Sequence, residues 1–91
     1  MKNSAPELLD TVTNTQSIPA SRLSLVEPAY KEMSELPAGQ IGTVVELYKG
    51  ENVDKTQYLI EFADSQGCEY AMAVLKPEEI LTIRYELPIA G

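Results

Sequence analysis

Histidine and tryptophan are both missing from this 91-residue chain, and cysteine occurs once, as Cys68. Without histidine, a Ser-His-Asp or Cys-His nucleophile system cannot form within the chain, nor can imidazole acid–base chemistry. A single cysteine cannot close an internal disulfide and excludes a cysteine-rich zinc site. Cys68 is read as a small, partly buried apolar residue, and a lone thiol fits a reducing cytosol. No apolar run approaches the roughly 20 residues that a membrane helix needs. The opening "MKNSAPELLD" has one lysine and no long apolar stretch, so it does not resemble a signal peptide. The expectation is a cytoplasmic protein. Positive charge is scarce too: seven basic residues against fourteen acidic ones leave a formal charge of −7. Such a balance repels nucleic acid and anionic lipid, whose binding relies on Lys and Arg neutralising phosphates. It suits a basic partner, or simply solubility.

The acids themselves form no obvious site. Glu78 and Glu79 are adjacent, so in a helical turn they point about 100° apart. Glu61 and Asp64 flank a hairpin tip, and Glu51 and Asp54 lie in a polar loop. Hard-metal sites need several oxygens converging on one point, and no calcium-loop pattern is present. No metal, cofactor or catalytic residue is expected, and the chain is not read as an enzyme.

An apolar share of 44% is ordinary for a globular protein. Ninety-one residues suffice for a single domain. Residues 1–6 are expected to be flexible, 7–87 to form the domain, and 88–91 to be a tail. Within the domain, "ELLDTV" (7–12) reads as a first short strand and "TNTQSIPAS" (13–21) as loop. Leu23, Leu25 and Val26 form a short extended piece. Pro28 then opens a small helical segment carrying Tyr30 and Met33 on one face. Together 13–36 read as an irregular insertion. From Ile41 the pattern has period two, with Ile41, Thr43, Val45 and Leu47 on one side. "QYLIEF" (57–62) places Tyr58, Ile60 and Phe62 together, and "CEYAMAVL" (68–75) places Tyr70, Met72 and Val74 together. "ADSQG" (63–67) joins them as a hairpin turn in which Gly67 takes positive φ. "KPEEI" is a single turn, and "ILTIRYEL" (80–87) closes as a last strand. The fold class is mainly β: a small SH3-like barrel of about five short antiparallel strands, with one short helical segment in the long N-terminal loop.

"LPAGQIGTVVELY" (36–48) pairs Gly39 and Gly42 before a Val-rich run. Phosphate-binding glycine loops lead into a helix and are accompanied by cations. A strand follows here, and no Lys or Arg lies between Pro37 and Tyr48. The glycines therefore read as turn geometry: Gly39 at positive φ, and Gly42 where the strand bends or approaches a neighbour. The G-x-x-G-x-V spacing is similar to the core of the KOW motif in SH3-like domains of ribosomal and transcription proteins. Those modules carry basic loops, whereas "KGENVDK" is charge-balanced, so RNA binding is not expected.

Leu9-Asp10-Thr11-Val12, Gly39 to Glu46, Glu61 to Gly67 and Leu75 to Ile80 together resemble a bacterial family, frequent in cyanobacteria, known as domain of unknown function 4926. Its pattern is L-D-x-V, then G-x-x-G-T-V-V-E, then E-F-x-D-x-x-G, then L-x-P-x-x-I. In this chain the link before the glycines is longer than is usual there. The resemblance implies a compact SH3-like barrel with no known enzymatic activity. Small acidic proteins of this kind are often encoded beside a larger or toxin-like protein.

A partner surface is expected at Leu23, Leu25, Val26, Tyr30 and Met33, where large apolar residues crowd a segment with weak local structure. The competing role is to cap the open end of the barrel. An outward aromatic face of Tyr48, Tyr58, Tyr70 and Tyr85 is a second candidate. Edge strands also permit pairing with a second copy, giving a homodimer. The function expected is a non-catalytic acidic protein-binding module, in its most concrete form an antitoxin- or immunity-like partner of a protein encoded nearby. The alternative is a small accessory subunit docking on a larger enzyme or electron-transfer complex.

Overall fold

The computed structural model describes residues 5–83. Six strands form one antiparallel sheet: β1 (Thr11–Asn14), β3 (Leu23–Leu25), β5 (Ile41–Tyr48), β6 (Gln57–Ala63), β7 (Glu69–Leu75) and β8 (Ile80–Thr82), in the order β3-β7-β6-β5-β1-β8. β2 (Ile18–Pro19) and β4 (Glu35–Leu36) pair separately and bring the buried side chains of Ile18 and Leu36 together. The five strands expected from the sequence sit side by side in this sheet, and the short piece at Leu23–Leu25 extends it along β7. The protein is a small, mainly β domain. The remainder of the expected last strand and Tyr85 lie outside the described residues.

The core follows from one strand above all. On β6, Tyr58, Ile60 and Phe62 point inward and are almost wholly buried. Side chains of this size contribute about 1.5–3 kcal/mol each on burial. Val12, Ile18, Leu36, Val44, Leu75 and Ile80 close around them. Gly42 stands opposite Phe62, and a Cβ there would lie 2.5 Å from Ile60 Cγ2. The side chain is absent because the core of β6 occupies its place.

Two bulges correct the period-two reading. The β5–β6 register shifts between Val44 and Glu46, so Gly42 and Val44 face the core with Leu47 beyond them, while Ile41 is exposed. The β6–β7 register shifts between Phe62 and Ala63. Past that shift, Ala71, Ala73 and Leu75 oppose Phe62, Ile60 and Tyr58, and Val74 is exposed. The inward face of β7 is therefore the alanine face, because the aromatics of β6 have already filled the space.

The structure differs from the sequence reading in three further places, two of them in the N-terminal part. Residues 7–10 form a turn in which the Asp10 carboxylate accepts the Glu7 N–H at 2.9 Å, and the strand begins only at Thr11. The 13–36 segment carries the end of β1, all of β2, β3 and β4, and single 3-10 turns at Ala20–Arg22 and Pro28–Tyr30. Cys68 is exposed rather than partly buried. It belongs to the hairpin tip, where its N–H donates to Asp64 Oδ1 at 3.0 Å and its carbonyl accepts the Asp64 N–H at 2.9 Å.

One ion pair joins the two ends of the sheet. Arg22 immediately precedes edge strand β3, and Glu79 immediately precedes edge strand β8. The guanidinium donates to Glu79 Oε2 at 2.6 Å and Oε1 at 2.9 Å, and also to the Val74 carbonyl at 3.1 Å. The sheet must curl on itself for these groups to meet.

Candidate functional site

One open cleft of about 630 Å³ is lined by core, half-buried and exposed side chains together. Its first wall is the 28–33 turn. Pro28 sets the first φ, the Lys31 N–H bonds the Pro28 carbonyl, and the Met33 N–H bonds the Tyr30 carbonyl. This turn presents Tyr30 and Met33, both half-buried against the core. Tyr30 packs on the buried ring of Tyr70 with centroids 4.8 Å apart and planes tilted by 31°. The main chain adds a bond from the Val26 N–H to the Tyr70 carbonyl.

The second wall is the glycine stretch. Gly39 takes φ 89°, a region open to glycine at little cost. Its N–H bonds the Asn14 carbonyl at 2.8 Å. The Asn14 side chain completes the anchor: Oδ1 accepts the Gln40 N–H, and Nδ2 donates to the carbonyls of Gln16 and Pro37. From this fixed loop Ile41, 50% exposed, projects at the cleft.

The third wall is the end of β6 with the hairpin turn, contributing Glu61, Asp64 and Ser65. Asp64 Oδ1 accepts the N–H groups of Gln66 and Cys68, and Gly67 takes φ 81°, which together fix the turn. Partial burial pushes the Glu61 carboxyl above the usual range, and its neighbour Glu69 pushes it further. Burial also raises the Tyr70 hydroxyl, with Tyr30 and Asp64 adding to the effect. Among the described lining residues none is Lys or Arg.

Of the partner residues expected from the sequence, Tyr30 and Met33 line the cleft. Leu23, Leu25 and Val26 do not: the first two pack on the core, and Val26 is exposed elsewhere. Among the described residues there is no shared outward tyrosine face. Tyr58 and Tyr70 are buried, Tyr48 is exposed, and Tyr85 lies outside the described residues. The bulge that reverses β7 also turns Tyr70 inward. Gly39 and Gly42 were read as geometry alone, yet both line the same cleft as Tyr30. Asn14 and Ile41 were missed as contributors, and Tyr70 was assigned to a different face. Asn14 carried no signal, because an Asn in a Thr- and Ser-rich stretch reads as ordinary loop.

Among the described residues no helix is long and apolar enough to cross a membrane, and no group of three or more His, Cys, Asp or Glu is placed to hold a metal ion. Fold and cleft define a small mainly β domain with an aromatic and acidic recess at one end. Residues 8–82 match the domain of unknown function DUF4926, and the chain belongs to that family. No curated protein and no solved structure matches it.

Proposed function

We propose that this protein is a non-catalytic acidic binding module whose cleft takes a segment of another protein. The observation that carries the reading is the cleft itself: Tyr30, Met33 and Ile41 offer apolar surface to solvent beside carboxylates, on walls fixed by Asn14 and Asp64. Tyr and Met are enriched in protein interfaces. The absence of histidine and the placing of Cys68 outside the cleft lining leave no Ser–His or Cys–His pair there. The same reading takes the curled sheet as an SH3-like barrel and its setting as the cytoplasm. An antitoxin- or immunity-like role is its most specific form.

Ile41→Asp is the sharpest test, because Ile41 is half exposed and its loss leaves the core intact. Surface substitutions of this kind usually change stability by less than about 0.5 kcal/mol. Tyr30 and Met33 are poorer choices, since both pack on the core and their truncation lowers stability whatever the cleft does. The tagged full chain is used to capture proteins from the cells that make it, beside Ile41→Asp and a control, Val53→Asp, at an exposed position outside the cleft. A protein retained by the wild type and the control but lost with Ile41→Asp is the expected result. Nothing above background, or equal capture by Ile41→Asp, overturns the reading.

A further inference from the structure

We propose that the cleft recognises an arginine side chain of the partner, its guanidinium lying on Tyr30 and against the carboxylates of Glu61 and Asp64. The inference rests on the cleft being the binding surface, as proposed above, and adds the chemistry of what enters it.

Charge complementarity is the first argument. Glu61 and Asp64 both line the recess, and no described lining residue is positive. Burial holds the Glu61 carboxyl back from ionising, and Glu69 on the neighbouring strand adds to this. A cation arriving here relieves a repulsion already built into the free protein. Asp64 is held ready: its Oδ1 accepts the Gln66 and Cys68 N–H groups, and Oδ2 takes no part in that turn.

The aromatic wall then selects the kind of cation. Tyr70 is buried, so its partner Tyr30 presents the available ring. A planar guanidinium stacks on such a ring and forks to carboxylates, which a strongly hydrated ammonium does less well. Among the described residues no three acidic side chains converge on one point, so the arrangement suits a side-chain cation with an apolar stem better than a bare metal ion. Met33 and Ile41 are placed to cover that stem and its neighbours. A volume of about 630 Å³ falls among small-ligand recesses of about 300–1,000 Å³ and admits residues flanking the arginine.

The test uses the full chain, labelled with nitrogen-15, and two probes: the capped tripeptide Leu-Arg-Leu and the same peptide with citrulline, which keeps the shape and removes the charge. Amide shifts at Gln40, Thr43 and Asp64 are followed by NMR during titration. The arginine peptide is expected to move these signals and to bind about fivefold more tightly than its citrulline twin, the scale of one partly exposed ion pair. A Glu61→Gln, Asp64→Asn double variant keeps an acceptor oxygen for the hairpin turn, so it is expected to melt like the wild type and to lose the preference. Equal affinity for both peptides, a preference that survives in the double variant, or no cleft shift with either peptide overturns the arginine inference. Capture of the natural partner separates the two proposals: a partner lost with Ile41→Asp yet kept by the double variant leaves the cleft standing without the arginine.

Discussion

Asn14, 1% exposed on β1, uses its whole amide to fix the loop that forms one wall of the cleft. Replacing it by Ala strips partners from the Gln40 N–H and from the Gln16 and Pro37 carbonyls. A buried group left without its partner costs about 1–3 kcal/mol. Asn14→Ala is therefore expected to lower the urea midpoint by a corresponding amount. It should also broaden the amide signals of Gly39 and Gln40, since the loop loses its anchor. An unchanged midpoint would show that the loop holds its shape by other means. At this scale the sequence was partly legible. Gly39 and Gly42 declared themselves because each stands where a side chain is costly, one by φ and one by the approach of Ile60. Asn14 did not, because turn formers and buried anchors share the same side chain.

At the scale of elements, strands were easier to place than their faces. The three strands of the period-two reading, at Ile41–Tyr48, Gln57–Ala63 and Glu69–Leu75, are all present, because β-branched and aromatic alternation is a local property. The first strand, by contrast, starts only at Thr11, and the last is described only as Ile80–Thr82. The faces depend on the neighbouring strand, which a single sequence does not display. On β7 Tyr70, Met72 and Val74 were assigned to one face, whereas Ala71, Ala73 and Leu75 are the buried set past the bulge and Tyr70 is buried before it. A bulge adds one residue to one strand of a pair and so flips the side-chain phase. The alanine face has a direct consequence. Ala73 is buried opposite Ile60, so Ala73→Leu forces extra methylenes into a packed core, at about 1–3 kcal/mol. Met72→Leu, on the other face of the same strand, is expected to leave the urea midpoint nearly unchanged. If the two substitutions cost the same, the assigned faces of β7 are wrong.

At the scale of the whole molecule, Arg22 and Glu79 join the two ends of the sheet, residues 57 apart in sequence whose meeting no local pattern announces. The hydrogen bond from Arg22 holds the Glu79 carboxyl below its ordinary range; partial burial opposes this, and the Lys76 N–H assists. A carboxyl depressed in the folded state contributes stability above its unfolded value. That contribution is lost as the pH falls through the folded value. Unfolding followed across pH 7 to 3 is therefore expected to show the wild type losing stability below the ordinary carboxylate range. Glu79→Gln should begin less stable at neutral pH and show a flatter acid limb. Parallel curves for the two proteins would mean that the pair adds nothing to the stability of the fold.

The hairpin that carries Asp64 also carries the chain's single thiol, and that thiol is exposed. Maleimide chemistry on the unaltered sequence thus has one address, four residues along the chain from the proposed guanidinium contact. A dye or spin label coupled at Cys68 would stand beside the cleft mouth, turning the natural protein into its own optical or magnetic reporter of occupancy.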